Sequence, residues 1–268
     1  TSAPLYSVAY GKGTFVVVGV GAILVSADIS KFHVAASDSP NTLRGLIRGG
    51  GRFVAVGEKG SILTSGDGAL WAPVSSGTKS SLNGIAHGDK GFAAVGAGGT
   101  ILTSSDGSEW VERKTATKER LSAAAFGTGG HVAVGANGTI LTSAEGSEWV
   151  NRRSGTTADL RGAAFGGGGY VVVGSNSTVL HSVDGLEWTI RAAGTGGASI
   201  DYKAVAYGSN GYVAVGAGGK ISVSADGVNW KSSHSGTSND LLTVAYCSGQ
   251  YVCTGAIVIP EQSIKSHR

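Results

Sequence analysis

Apolar residues in this chain come in short runs of four or five, separated by turns of Gly, Ser, Asn and Asp, and one arrangement of runs and turns recurs along its length. The clearest copy is residues 91–110, GFAAVGAGGTILTSSDGSEW. Phe92 to Gly96 is one apolar run, Gly98 and Gly99 make a turn, and Thr100 to Ser104 is a second run rich in β-branched residues. Runs of this length and composition, bounded by such turns, predict short strands. Each copy is preceded by a further run that starts at Leu5, Leu43, Leu82, Leu121, Leu160, Tyr202 and Leu241, spaced 38, 39, 39, 39, 42 and 39 residues apart. Each start leads through a Gly-rich turn into an aromatic-Val-Ala-Val-Gly type run, which predicts a hairpin.

The copies close on a second repeated feature. Residues 104–110 read SSDGSEW, and matching stretches lie at 65–71, 143–149, 182–188 and 224–230, with a degenerate copy at 26–32. Their closing aromatics, Phe32, Trp71, Trp110, Trp149, Trp188 and Trp230, are spaced 39, 39, 39, 39 and 42 residues apart. Ser and Asp oxygens can bond the backbone of the bend, and the Gly after Asp takes positive φ without a Cβ clash. The Trp then wedges between neighbouring units. Two copies depart: Glu145 replaces Asp, and Ile29 and Phe32 replace Gly and Trp in the first unit, where a differently built turn is expected.

A fixed period near forty residues, filled with short strands, is the signature of propeller blades. The expectation is an all-β fold, a single β-propeller domain over residues 1–268, with seven blades of about 39 residues and an atypical last blade. The last repeat departs after Cys253: TGAIVIPEQS stands where the others carry a turn and a Thr-Ile-Leu-Thr-Ser-like run, and Pro260 cannot donate in a ladder. Residues 257–259 can still form a third strand, or residues 263–268 can close the blade. A six-bladed ring with a stray final hairpin is the alternative. Innermost strands line the channel of a propeller, and small residues such as Ala9, Gly45, Ala86, Ala124, Ala163 and Ala206 suit that crowded axis.

The Ser-x-Asp-Gly-x-x-Trp turn resembles the Asp-box, with Gly following Asp directly instead of one residue later. The chain is thus similar over nearly its whole length to the Asp-box (BNR-like) propellers, which include sialidases, xyloglucanases and assembly factors of the Ycf48 type. That resemblance implies a propeller and no single activity. It also implies that Ser65, Asp67, Ser104, Asp106, Ser182, Asp184, Ser224 and Asp226 are structural, on the face opposite the site.

Composition narrows the function classes. Gly supplies 46 of 268 residues but punctuates periodic runs, which separates the chain from disordered Gly-rich sequence. With 15% charged residues, net charge +3 and no Lys/Arg cluster, no nucleic-acid partner is expected. No run is long enough for a membrane span. The start without Met gives the expectation of a mature product or excised domain, secreted or in the cell envelope, with a monomer favoured. Cys247 and Cys253 flank a turn in the final hairpin and are read either as a disulfide or as two thiols. The six His show no metal spacing, and His131 occupies the slot held by Phe53, Phe92, Tyr170 and Tyr212, which reads as a core position. No metal and no cofactor are expected.

Strand direction brings the loops before each innermost strand and the turns after each second strand to the channel mouth. The residue after each repeat start then offers Tyr6, Arg44, Asn83, Ser122, Arg161, Lys203 and Leu242, and the residues before include Arg120, Asp159, Asp201 and Asp240. The turns add Glu58, Lys59, Asn137 and Asn176; Asn137 and Asn176 also fall in Asn-x-Thr sequons, although turn chemistry explains them equally. Candidate ligand-binding residues are Tyr6, Arg44, Asn83, Arg161, Lys203, Asp159, Asp201 and Asp240, where cations with interleaved carboxylates suit an acidic or hydroxyl-rich ligand. The reading is a non-catalytic binding propeller that recognises a glycan or protein partner. One alternative is a glycan-active hydrolase or lyase using the rim carboxylates, and another a structural or assembly module of a larger protein. The Arg-Ile-Pro motif of sialidases, a Gly-x-Ser-x-Gly elbow and a phosphate loop are all absent from the sequence.

Overall fold

The structure, a computed structural model, describes residues 3–35, 40–193 and 199–255. Among these, six four-stranded antiparallel sheets and one two-stranded sheet are arranged around an axis. The innermost strands are Leu5–Gly11, Leu43–Gly49, Leu82–Gly88, Leu121–Gly127, Leu160–Gly166, Tyr202–Gly208 and Leu241–Cys247. Each packs on the innermost strand of the next sheet, and the last returns to the first, so the array closes into a ring. The chain is an all-β propeller.

The expectation of seven blades is corrected: six blades are complete, and among the described residues the last repeat contributes the hairpin Leu241–Cys247 and Gln250–Gly255. The physical reason lies after Gly255, where the turn and Ile-Leu-Thr-Ser-like run that build the third strand elsewhere are missing from the sequence. The third-strand reading of residues 257–259 and the closure by residues 263–268 lie outside the described residues. The hairpin packs between the sixth blade and the first, and Thr254 Oγ1 donates to the Leu5 carbonyl at 3.2 Å. No disulfide joins the two cysteines. Cys247 stands opposite Gln250 and Cys253 opposite Val244, so the register never brings them face to face.

The second strand of each blade is central and covered on both faces. Phe92, Ala93, Ala94 and Val95 are fully buried, whereas the outer strand Val111–Arg113 is largely exposed. Burial of each aromatic or aliphatic side chain between blades contributes roughly 1.5–3 kcal/mol. The aromatic residues form a ladder across each interface. In the third blade His87 meets Phe92 at 4.4 Å between ring centres, and Phe92 meets Trp110 at 6.2 Å. The fifth blade repeats this with Phe165, Tyr170 and Trp188 at 4.7 and 6.3 Å.

Neighbouring blades interlock where the ladder begins. The sixth residue of an innermost strand covers the Gly that ends the preceding one, so that a Cβ on Gly88 would coincide with the Phe126 ring. At the other end of the strand, backbones themselves approach: a Cβ on Gly84 would stand 2.8 Å from Ala123 Cα. Backbone approach therefore demands the missing Cβ at Gly84 and Gly162 of this third position, where Ser7 and Thr243 stand in the first and last strands, whereas Ala9 and Ala86 are buried at the fifth. Tyrosines add a polar tie. The Tyr170, Tyr212 and Tyr251 hydroxyls donate to the carbonyls of Gly130, Gly169 and Gly211 in the preceding blades at 2.7, 2.6 and 2.6 Å.

His131 holds the same slot in the fourth blade, fully buried, with neither ring nitrogen hydrogen-bonded. Burial lowers its pKa from 6.5 to about 4, with His87 lowering it further and Asp89 opposing. The neutral ring is the folded form, so stability is undiminished above the unfolded value and is lost as pH falls from about 6.5 towards 4.

Two outcomes are expected. Gly88→Ala forces a methyl into the Phe126 ring and costs about 1–3 kcal/mol in urea unfolding, the usual range for overpacking. His131→Phe removes a titrating group: its stability relative to the wild type rises by up to about 3 kcal/mol between pH 7 and pH 4, and a constant difference over that range in chemical denaturation would refute the buried neutral imidazole.

Candidate functional site

The axial channel is about 340 Å³ in volume, and all seven innermost strands contribute to its wall. Six of the seven strands' first residues are Leu and the other is Tyr202, all buried, but the register shifts between the first and third residue of every one of these strands. The second residue is the extra one of a β-bulge. Such a residue leaves the ladder and is re-aimed, here towards the axis. Tyr6, Arg44, Asn83, Ser122, Arg161, Lys203 and Leu242 consequently all line one mouth.

The cations differ in their surroundings. Arg44 Nη2 donates to Glu58 Oε1 at 2.7 Å, and its guanidinium carbon lies 5.5 Å from the centre of the Tyr6 ring. Arg44 holds the Glu58 carboxyl below its usual range, chiefly through that hydrogen bond. Arg161 Nη1 stands 3.5 Å from Asp201 Oδ2. Arg44 Nε and Arg161 Nη1 are buried without a hydrogen-bond acceptor. Lys203 makes no ion pair among the described residues. Asn83 Nδ2 donates to the Leu121 carbonyl at 2.8 Å, tying the third blade to the fourth.

The carboxylates behave differently from the cations. Asp159 Oδ1 accepts the Asn137 N–H at 3.3 Å, Asp201 Oδ1 the Asn176 N–H at 3.2 Å, and Asp240 Oδ1 the Gly218 N–H at 2.9 Å. Each staples the loop entering one blade to the turn of the blade before. The Asn176 N–H, with Arg161 and Lys203 behind it, holds the Asp201 carboxyl below its usual range. The structure therefore brings Tyr6, Arg44, Asn83, Arg161 and Lys203 together in the channel wall and leaves Asp159, Asp201 and Asp240 on the turns around it. Among the described residues the wall contains no carboxylate. Asn137, Asn176 and Lys59 sit at the exposed tips of those turns with φ of 53°, 54° and 55°.

The Ser-x-Asp-Gly turns join the third and fourth strands. Ser65, Ser104, Ser182 and Ser224 accept the N–H of Gly68, Gly107, Gly185 and Gly227 at 2.8, 2.8, 2.8 and 2.9 Å. Their hydroxyls donate to Asp67, Asp106, Asp184 and Asp226 at 3.1, 3.5, 3.4 and 3.0 Å. Each Trp closes its turn through an indole N–H to the Gly carbonyl, as Trp71 does to Gly68 at 2.7 Å. All four carboxyls are held below the usual range by hydrogen bonds within the turn, led by the backbone N–H of Ala69, the Ser108 hydroxyl, and the backbone N–H of Leu186 and of Asn229. Where Glu145 replaces Asp, the longer side chain reaches Lys90 Nζ at 3.0 Å, and Ser143 Oγ is left buried without a partner. The first-unit turn keeps part of the pattern, since Asp28 Oδ1 accepts the Ser30 N–H at 3.0 Å, while Ile29 adopts φ 61°, a costly value for a β-branched residue.

Among the described residues no three His, Cys, Asp or Glu side chains form a metal-binding group, and no helix is long and apolar enough to cross a membrane. Burial pushes the Cys247 thiol up to about 12.

No protein-family model matches the chain, and no curated protein matches it in sequence. Solved structures do. A structure of Ycf48 bound to a D1 peptide superposes with TM-score 0.74 at 18% identity, covering 95% of this chain and 90% of that one. Virginiamycin B lyase from Staphylococcus aureus superposes with TM-score 0.84 at 13% identity, covering 96% and 93%. Ycf48 from Cyanidioschyzon merolae gives 0.71 at 18%, covering 96% and 94%. At these identities the likeness is one of fold, the β-propeller.

A test of the turn chemistry follows. Asp106→Ala lowers the melting temperature at pH 7, because it removes bonds to Ser104 and Ser108, and the loss shrinks as pH falls below the ordinary carboxyl range, where the wild-type turn is itself protonated. An unchanged melting temperature at pH 7 would show that the carboxylate contributes nothing to the turn.

Proposed function

We propose that this protein is a non-catalytic binding propeller that takes an acidic or hydroxyl-rich part of a glycan or protein partner at the channel mouth. The observation that carries this reading is the wall itself: Arg44, Arg161 and Lys203 line it, no carboxylate does among the described residues, and Lys203 makes no ion pair among them. Cations gathered in a concave, low-dielectric site focus a positive potential on an entering anion. Guanidinium groups suit carboxylate or phosphate oxygens through paired hydrogen bonds. The Ycf48 neighbour, bound to a D1 peptide, is a propeller of similar size that holds a polypeptide, and it supports a protein partner here.

Catalysis by a pair of rim carboxylates, as in glycosidases, would need those groups free and facing a substrate. Asp159, Asp201 and Asp240 instead spend an oxygen on backbone N–H groups of neighbouring turns. The lyase among the structural neighbours keeps a second reading in view, since it shows a similar propeller in an enzyme.

The test is a screen of the protein on a glycan array and on an array of acidic peptides, followed by titration of the strongest hit. Arg161→Ala weakens that binding about tenfold or more, the equivalent of one charge-assisted hydrogen bond of roughly 1.5–3 kcal/mol, whereas Lys31→Ala, on the opposite face, leaves it unchanged. Equal affinities for the two variants would place the site elsewhere. Release of reducing ends or unsaturated products from a bound glycan, abolished in Asp159→Asn or Asp201→Asn, would replace binding by catalysis.

A further inference from the structure

The seven mouth residues are not distributed evenly around the ring. Because the strands pack in chain order and the last returns to the first, Leu242 and Tyr6 are neighbours, and so are Arg161 and Lys203. Asn83 and Ser122 fill the arc between Arg44 and Arg161. The mouth thus has a cationic arc, an uncharged polar arc and an apolar arc. Lys203 stands at the junction of the cationic and apolar arcs, beside Leu242.

The apolar arc is confined to Leu242 and Tyr6 at the mouth. It does not extend along the strands, because Val8 and Val244, which follow Tyr6 and Leu242, are packed into the cores between blades, and Thr243 is buried as well. Asn83, the one amide in the ring, already spends its N–H on Leu121. A sugar presents hydroxyls on every side, and against this arc several would lose water without gaining a partner. An anion that carries an apolar group on one side leaves nothing unpaired.

Charge points to the same place. Arg44 is engaged with Glu58, and Asp201 faces Arg161 while also stabilised by the more distant Lys203. Lys203 has no carboxylate within ion-pair distance among the described residues, and Arg161, whose Nη1 faces Asp201 Oδ2 at 3.5 Å, stands on the adjacent strand. Asp240, which enters the loop beside this sector, is bonded to the Gly218 N–H.

Building on the proposed function, we infer that the channel mouth selects a hydrophobic monocarboxylate, with its carboxylate at Lys203 beside Arg161 and its apolar group on Leu242 and Tyr6. Two sources share this chemistry: a free aliphatic or aryl acid, and the last residue of a polypeptide that ends in an apolar side chain. The cavity, about 340 Å³, is the volume of roughly eleven water molecules at about 30 Å³ each, which suits a group of this size and excludes a folded domain.

The experiment titrates the full chain by NMR with 4-methylpentanoate, N-acetyl-leucine, N-acetyl-leucinamide and glucuronate, following the amides of Lys203, Leu242 and Tyr6. The expected result is saturable binding of the first two at the mouth, at least tenfold tighter than glucuronate and than the uncharged amide. Lys203→Gln weakens both apolar acids about tenfold. Leu242→Ser abolishes their advantage over glucuronate while both variants keep the wild-type melting temperature. A stronger response to N-acetyl-leucine than to 4-methylpentanoate assigns the chain-end source, and the reverse assigns the free acid. If glucuronate binds as tightly as the apolar acids and depends on Lys203, the selectivity inference falls while the anion-binding mouth stands. If no anion shifts the mouth amides, both fall. Should either substitution unfold the chain, Lys203→Arg and Leu242→Asn carry the same comparison: affinity retained in the first and preference lost in the second support the inference, and a retained preference in Leu242→Asn overturns it.

Discussion

Everything in this propeller depends on how one blade enters the next. The side chain six residues into an innermost strand, Arg48 in the second such strand and an aromatic ring in the next five, lies where a side chain of the preceding strand's last residue would be, and Gly at that last position makes room for it. A Cβ on any of those glycines would collide with it, whereas without one the covering group packs closely. Repeating it around the axis sets the angle between blades, stacks each aromatic ladder onto the next sheet, and places the first residues of the innermost strands around one opening. The mouth is a consequence of that spacing.

The closing interface is built on different terms. Cys247 takes the place of the usual Gly and packs with Leu5, Val8, Phe15 and Leu24 of the first blade, with Tyr10 partly buried against the same cluster. Here Thr254 adds a hydrogen bond to the Leu5 carbonyl where the second strands of other blades carry Val. Among the described residues the second strand of this hairpin is covered less fully than its counterparts: Tyr251, packed on the sixth blade, and Val252, packed on the first, keep 8% and 7% exposure, against none for Phe92 and Ala93.

The symmetric scaffold carries an asymmetric mouth. A bulge at one repeated position turns seven side chains towards the axis, and those seven are free to differ because they take no part in the ladder. The carboxylates one residue or so upstream are drawn outward by backbone N–H groups of neighbouring turns, which leaves a channel wall with cations and without acids. The same loops that close the scaffold thereby determine the sign of the site.

The sequence by itself determined what is local or periodic. Strand runs, the Gly-rich hairpin turns and the Ser-x-Asp-Gly bonds span two or three residues along the chain, so composition and spacing suffice to read them, and the period near forty implies a propeller. The second position of each repeat was legible as a shared slot for Tyr6, Arg44, Asn83, Arg161 and Lys203. Only the tertiary structure decided the rest. The blade count turned on the last repeat, whose described residues form a single hairpin, and a repeat pattern reports where an element begins without reporting how many strands its sheet holds. The interlock of Gly88 with Phe126 and the capture of Asp159, Asp201 and Asp240 by turns all depend on groups from adjacent blades. Those groups lie some twenty to forty residues apart in sequence, and which backbone N–H captures a carboxylate is settled only when the blades pack.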